Sequence, residues 1–295
     1  MSRAIIFGIN GQDGYYLEKL LLAKQITVTG VSRSPGPWQQ GSIADQSLVN
    51  ALVRELQPDY VFHLAARSKT GHELLFEHQE TIVNGSLHVL EAVLNHSPSS
   101  RVFITGSGLQ FCNNGDPIHE QTPFEARDAY SLARIQSVYA ARYYRTKGVK
   151  AYTGYLFHHD SPLRSTSHLN RKIADAAIAA AAGQPVHLTV GDITVEKEFG
   201  YSGDIAAGIF QLVNQDQFYE ACVGTGKAHS VEEWLEICFG MMNKNWKDFV
   251  QLNSNFKAEF RRMLSDSYLL QSTGWQPATD INELAVMMLK PAPAR

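Results

Sequence analysis

The 295-residue sequence is poor in cysteine, in basic excess and in long apolar runs, and each shortage excludes a class of protein. Its three cysteines, Cys112, Cys222 and Cys238, are odd in number and far apart. That pattern excludes a disulfide scaffold and a zinc finger, and it fits a reducing cytoplasm. Acidic side chains outnumber basic ones by 29 to 26, a net charge of −3. No positive field gathers nucleic acid or an anionic membrane. No stretch approaches the roughly 20 apolar residues that span a bilayer. The longest candidate, residues 173–182, is Ala-rich and broken by Gly183 and Pro185. A strand-like run starts at residue 3, which leaves no room for a signal peptide. There is no internal repeat, and no His/Cys/Asp/Glu grouping has the spacing of a metal site.

What is present is a chain with 44% hydrophobic residues, enough for a sizeable core. Its first half alternates. Strand-like runs at residues 4–7, 26–31, 60–64 and 101–105 are separated by helical periodicity at 16–23, 47–56 and 87–94. A long helix over 129–147 and a strand over 149–157 follow. Alternation of this kind predicts an α/β fold: a Rossmann-type, doubly wound parallel sheet covered on both faces. Later segments (helices at 169–182, 204–213, 231–241 and from 281, a strand at 219–223) are short. The sequence therefore divides into a dinucleotide-binding domain, 1–160, and a mixed substrate-binding region, 161–295. The second is expected to lack an independent core and to roof a cleft on the first.

Gly8, Gly11 and Gly14, with Asn10, Gln12 and Asp13 between them, sit between the first strand and the first helix in G-x-x-G-x-x-G spacing. Glycines there let backbone N–H groups approach a pyrophosphate at a helix N-terminus. The second strand ends at Arg33 and Ser34 with no carboxylate for a ribose 2′-hydroxyl. An arginine and hydroxyls suit a 2′-phosphate, which favours NADP(H) over NAD(H). Leu64, Ala65 and Ala66 close the third strand with small side chains beside the cofactor path. Tyr130 and Arg134, four apart on the long helix, share a face. Ser107 ends the fourth long strand at the carboxyl edge, where open α/β sheets bind ligands. A serine, a tyrosine and a cation suit transfer of a hydride and a proton at a carbonyl. His63 reads as a packed core residue; His78, His88 and His96 read as helix-surface residues. Tyr139, Tyr143 and Tyr144 read as core or dimer packing.

With these residues in place the sequence resembles an extended short-chain dehydrogenase/reductase of the NAD-dependent epimerase/dehydratase family. It is most similar to the branch of GDP-mannose 4,6-dehydratases and GDP-4-keto-6-deoxy-mannose reductases. Residues 8–14 match that branch's G-I-T-G-Q-D-G, 85–92 its G-T-L-R-L-L-E-A, and 157–164 its F-N-H-E-S-P-R-R. Residues 224–231 match a T-G-E-T-H-S-V stretch, and 264–275 the L-G-D…L-G-W ending. The resemblance implies that Tyr130 is the acid/base and Ser107 polarises the sugar oxygen. It implies cofactor contacts from Ala65, Ala66, His159 and Arg164, with Ser42 and Ile43 where an Asp-Leu pair is usual. It implies that His158, Lys172, Lys197 and Glu259 line the groove of a GDP-linked nucleotide sugar, cations pairing with the diphosphate.

Three departures direct the functional expectation. The Y-x-x-x-K pattern reads Tyr130-x-x-x-Arg134, which keeps the charge but replaces a point charge with a planar fork. The dehydratases' T-S-E reads Ser107-Gly108-Leu109, and leucine cannot take a proton. Asp116 and Glu120 read as solvated loop charges. The segment after Arg33 is short, which favours a homodimer formed through the long helix and the Ala-rich helix over a tetramer. The expectation is an NADPH-dependent reductase acting at C4 of a GDP-4-keto-6-deoxy-hexose. The alternatives are a dehydratase or epimerase with a displaced base, and a catalytically impaired nucleotide-binding homologue.

Overall fold

The computed structural model describes residues 2–253 and 255–293. The first half supplies strands β1 (Arg3–Phe7), β2 (Thr27–Ser32), β3 (Gln39–Gln40), β4 (Tyr60–His63), β5 (Arg101–Ser107) and β6 (Lys150–Leu156). Between them run helices α1 (Gln12–Ala23), α2 (Gln46–Leu56), α3 (Leu75–His78), α4 (Gly85–His96) and α5 (Ala129–Arg145). The second half supplies β7 (His159–Asp160), α6 (Leu169–Ala181), β8 (Leu188–Val190), β9 (Glu196–Glu198) and β10 (Gly200–Tyr201). It continues with α7 (Ser202–Val213), β11 (Glu220–Val223), β12 (Ala228–Ser230) and α8 (Val231–Met241). It ends with β13 (Val250–Leu252), β14 (Arg262–Met263), α9 (Tyr268–Gln271) and α10 (Ile281–Met288).

The main sheet has the order β3-β2-β1-β4-β5-β6-β11, and every neighbouring pair is parallel. The chain direction of the order reverses between β1 and β4, which opens a crevice at their carboxyl ends. Helices α1 and α7 cover one face, packing Leu17, Leu21, Ile205 and Ile209 with Phe62, Phe103 and Tyr152. Helices α2, α4 and α5 cover the other, against Ile5, Phe7, Val61 and Ile104. With both faces covered, all but the first residue of β5 and of β6 are buried. Register between these two strands runs from Arg101↔Lys150 to Ser107↔Leu156 and sets Ser107 at the carboxyl edge.

Beyond residue 160 the chain splits. Helix α7 and β11 return to the first sheet, whereas α6, α8 and α10 enclose a second core with β8 and β13. The short late segments were not expected to build a core of their own. Large aromatics make it possible: Trp234 and Phe239 are fully buried, and Phe199 stacks on Trp234 with ring centroids 5.1 Å apart. Ala174, Ala177 and Ala180 of α6 face this core. On α5, Tyr144 is buried and donates to Glu91 Oε2 (2.6 Å), while Leu132, Tyr139 and Tyr143 remain exposed.

Residues 72–84 carry no clear periodicity in the sequence. They form a 3-10 turn (His72–Leu74), α3 and a π-helical stretch (Gln79–Asn84) that runs into α4. The wide turn lays Ile82 and Val83 against Tyr130 and Ala133 of α5. It also buries His78, which corrects its placement on a helix surface. His88 and His96 are half-buried rather than exposed, and His88 Nδ1 bonds the Ile43 carbonyl (3.0 Å). His63 is fully buried, as its strand requires.

Candidate active site

The turn after β1 is as tight as its glycines imply. Gly8 has φ of +91°, and a Cβ there would lie 2.7 Å from the Ala65 nitrogen. A Cβ on Gly14 would lie 2.5 Å from the Gly8 carbonyl oxygen. Gly11 has more room and stands at the N-cap of α1, where no side chain caps the helix. By contrast α2, α5, α8 and α10 are capped by Asp45, Asp128, Ser230 and Asp280. The first N–H groups of α1 are thus open to an anion in the crevice.

Gln12 and Asp13 line the cleft and are also bonded within the protein. Gln12 Nε2 donates to the His159 carbonyl (3.3 Å), and Ser161 Oγ donates to Gln12 Oε1 (3.0 Å). His159 Nε2 meets Asp13 Oδ1 at 2.9 Å, and its Nδ1 meets the Phe157 carbonyl at 2.6 Å. Burial alone would push His159 down and Asp13 up. Their mutual attraction outweighs it, holding His159 above and Asp13 below their ordinary values. The pair clamps the start of α1 to the chain leaving β6.

At the end of β2, Asn10 Nδ2 donates to Ser34 Oγ (2.8 Å), which lies 3.2 Å from Ser32 Oγ. A hollow of about 210 Å³ here is lined by Gly8, Ser32, Arg33, Ser34, Ser42 and Ile43, with Leu64, Ala65 and Ala66, and by no carboxylate. Two residues not singled out in the sequence stand beside it. Glu77 bridges Arg33 (3.2 Å) and Arg67 (3.0 Å).

The main cleft has a volume of about 960 Å³ and is lined by Gly8, Gly11, Ser107, Leu109, Tyr130 and Arg134 among others. The glycine turn and the phenol therefore share one crevice. Tyr130 is 7% exposed. The Arg134 guanidinium lies over its ring, 5.0 Å from the centroid, and Nη1 donates to the Thr105 carbonyl (2.6 Å). This bond ties α5 to the end of β5. His78, unforeseen in the sequence, sets its ring edge-on to Tyr130 at 5.5 Å. Ser107 accepts from the Leu109 N–H (3.2 Å), and its own N–H donates to Gln110 Oε1 (2.9 Å). Both bonds fix the serine while leaving its O–H proton uncommitted.

The facing wall is ionic. Lys197 Nζ donates to Asn170 Oδ1 (3.0 Å) and lies 3.5 Å from His158 Nε2. Asn170 Nδ2 donates to Asp160 Oδ2 (2.6 Å), and Arg164 Nε pairs with Asp160 Oδ1 (3.0 Å). Arg164 Nη2 reaches His168 Nδ1 (3.0 Å). Burial lowers Lys197 to about 8, with Asp160 opposing and Arg164 adding. Burial, then Lys197, drives His158 well below the usual imidazole value. Burial would raise Asp160, but His158, Arg164 and Lys197 hold it at about 2. Asp160 lies within the 157–164 motif but was not singled out, and Asn170 and His168 had no signal in the sequence beyond polarity. Glu259 lies exposed on the cleft wall with Phe256 and Asp192. Lys172 does not join them: it is exposed on α6 and lines no part of the cleft. Glu120 is not a solvated charge, since it accepts from the Cys222 N–H (2.7 Å) on β11. Asp116 is exposed. Among the described residues no group of three or more His, Cys, Asp or Glu side chains is placed to hold a metal ion.

A doubly wound sheet whose glycine turn and helix-borne tyrosine share a cleft at the strand carboxyl ends defines the extended short-chain dehydrogenase/reductase class. The family model for GDP-mannose 4,6 dehydratase matches residues 5–288, and the chain belongs to that family. GDP-mannose 4,6 dehydratase 2 of Arabidopsis thaliana is 28% identical over 97% of this chain and 85% of its own. GDP-mannose 4,6-dehydratase of Sinorhizobium fredii is 26% identical over 97% of this chain and 95% of its own. Among solved structures, RMD from Pseudomonas aeruginosa complexed with NADPH superposes with a TM-score of 0.84 at 22% identity, covering 98% of each chain. UDP-glucose 4-epimerase with UDP-glucose from Thermotoga maritima gives 0.85 at 17% identity, covering 97% of each. These structures share the fold.

Proposed function

We propose that the protein is an NADP(H)-dependent oxidoreductase that reduces C4 of a GDP-linked 4-keto-6-deoxy-hexose. The observation that carries this reading is Leu109. The position after Ser107-Gly108 holds an apolar side chain on the cleft wall, and Asp13, Asp192 and Glu259 are the carboxylates that line the cleft. Asp13 is committed to His159, and Asp192 and Glu259 stand on the wall that Phe256 shares. Elimination of water needs a base at the carbon next to the ketone; reduction does not.

The glycine turn, the open end of α1 and the hollow at Ser32–Ser34 fit a dinucleotide, and a bound nicotinamide would supply the hydride. Tyr130 gives its phenolic proton to the oxygen at C4 while Ser107 donates a hydrogen bond to the same oxygen. Arg134, stacked over the ring and bonded to the Thr105 carbonyl, holds Tyr130 beside the end of β5. Arg33 and the Ser32 and Ser34 hydroxyls support NADP(H) over NAD(H). Arg33→Ala is expected to weaken NADPH about tenfold, the loss of one charge-assisted hydrogen bond, and to leave NADH within twofold. Fluorescence titration of both cofactors checks it. The exposed Leu87, Leu132, Tyr139 and Tyr143 on α4 and α5 support a homodimer through α5. Three free cysteines, and no helix among the described residues long and apolar enough to cross a membrane, support a cytoplasmic setting.

A second reading, a dehydratase or epimerase, draws on the family itself. The two are separated by supplying NADPH with GDP-4-keto-6-deoxy-mannose, and separately GDP-mannose alone. The reductase consumes nicotinamide absorbance with the first and leaves the second unchanged. Turnover of GDP-mannose without net NADPH loss would establish the second reading. No turnover of either would leave a nucleotide-binding homologue impaired at Arg134.

A further inference from the structure

The ionic wall holds two cations that lean on one anion. Asp160 is fully buried, and its two oxygens are divided between Asn170, which carries Lys197, and Arg164. An ammonium has three donors and a guanidinium five. Lys197 uses one on Asn170 and turns another toward His158; Arg164 sets Nη2 against His168, and its Nε lies 3.0 Å from Asp160 Oδ1 as an ion pair without hydrogen-bond alignment. Both residues line the cleft, so each keeps donors for an anion there. Asp160 itself is absent from the cleft lining and acts from behind them as a positioning residue.

We infer that Asp160 couples two anion subsites: a phosphate drawn to Arg164 releases Asp160's charge to Lys197, so that cofactor and nucleoside diphosphate bind more tightly together than singly. The inference rests on the proposed cofactor and nucleotide-sugar reading and adds an order to it. Arg164 repels the Lys197 ammonium and Asp160 supports it. An anion on Arg164 cancels the repulsion and weakens the Arg164–Asp160 pair, and both effects favour the charged lysine. Below about pH 7 that lysine is already charged, and the coupling is small. Above its pKa of about 8 the first anion restores the charge that the second needs. Reciprocity makes the effect equal from either ligand.

The other groups around Lys197 are held low or turned to partners of their own. Burial and neighbouring cations hold His158 well below the usual imidazole value and His168 at about 4, and Asp160 stays near 2. Glu198, next on β9, turns its carboxylate to Ser265 and Thr225. His229, opposite Lys197 on β12, turns to Glu233. His159 titrates above its ordinary value but is clamped to Asp13.

The test is titration of GDP into the full chain, with and without saturating NADPH, at pH 7 and pH 9. The ratio of the two GDP dissociation constants, without over with NADPH, is expected to rise about threefold or more between these pH values, the equivalent of half a pKa unit. In Lys197→Arg, whose guanidinium stays charged, the ratio should not change with pH, although His159 is intact. Asp160→Asn should move the rise to lower pH, because the ammonium loses its support. That variant strands two cations and endangers folding, so Lys197→Arg decides the matter alone. A wild-type ratio independent of pH, or an equal rise in Lys197→Arg, overturns the inference while nucleotide binding stands. Absence of GDP binding at both pH values overturns the nucleotide-sugar reading and the inference with it.

Discussion

Along the wall formed by β1, α1 and β5, what a ligand meets is mostly main chain: the Gly8–Gly11 turn, the uncapped start of α1, and the strand end that fixes Ser107. Along the wall formed by β7, α6 and β9, it meets side chains: the charged Lys197 and Arg164 and the imidazole of His158, with Asp160 and Asn170 behind. The backbone wall depends on space, and a single carbon atom can close it. The ionic wall depends on a balance of desolvation against attraction, which shifts with pH and with what is bound. On the proposed reading, the same cleft is thus rigid where it would orient a dinucleotide and electrostatically adjustable where it would meet a sugar nucleotide.

The sharpest way to break this comparison is Gly14→Ala. Its Cβ would fall within 2.8 Å of three backbone atoms, Gly8 O, Ile9 Cα and Ile9 O, none of which is the end of a flexible side chain. The start of α1 must move away from the turn. NADPH affinity is expected to fall more than about 100-fold, a loss of roughly 3 kcal/mol, while GDP binding on the ionic wall falls by less than about tenfold. Calorimetric titration of each ligand measures both. Equal losses would show that the two walls are one mechanical unit. Next in size is Tyr130→Phe. It removes one oxygen from a side chain whose ring packs between Arg134, His78 and Ile82. Turnover is expected to fall by about 10²–10⁴, the usual share of a general acid, with NADPH binding within about threefold. Single-turnover rates with the keto sugar check the first expectation, and fluorescence titration the second.

How much of this was legible in the sequence follows the same division. Apolar runs and glycine spacing report backbone requirements, so the alternation of strands and helices in the first half, the turn, and the placement of Tyr130 on its helix and Ser107 at a strand end could be read directly. The start of α1 was missed by four residues, because Gln12 and Asp13 look like loop polar residues. Only the folded chain brings His159 and Ser161 to them, 146–149 residues away. The ionic wall was read in part: the family resemblance pointed to Lys197, His158 and Arg164, the last two within a matching motif, but Asn170 is one polar residue among many until β9 meets α6. Lys172 was misplaced for a periodic reason. It is the residue after Arg171, which turns inward to the Met288 carbonyl, and helical spacing sends the next side chain outward. Residues 72–84 escaped because a π-helical turn breaks the 3.6-residue pattern on which the reading depends. The second core escaped because short segments hide how much volume Trp234, Phe239 and Trp246 bring together.

The smallest expected effect sharpens the comparison through acid stability, with one histidine taken from each wall, His63 buried and His168 half-buried. Burial, then Arg134, lowers His63 at the end of β4 to about 3. Burial, then Arg164, lowers His168 before α6 to about 4. In both cases the folded value lies below the unfolded one, near 6.5. Above pH 6.5 neither state holds the proton, and neither histidine affects stability. As pH falls below 6.5 the unfolded chain takes up protons that the folded chain refuses, so stability declines until the folded value is reached. The buried carboxylates act lower: Asp160 and Glu220, both near 2 in the fold, withdraw stability only as pH falls from about 4.5, where the unfolded chain begins to protonate them. His159, raised in the fold, changes stability only above about 6.5. The lowered histidines therefore act in the interval from pH 6.5 to 4.5, where Glu198, raised by burial, works in the opposite sense. His63→Leu should flatten the fall in chemical-denaturation stability across that interval by on the order of 2 kcal/mol, from two pH units at about 1.4 kcal/mol each less incomplete desolvation. His168→Gln, at a half-buried site, should flatten it less. If His168→Gln has the larger effect, desolvation is greater on the ionic wall than beneath the backbone wall, and the division drawn between them fails.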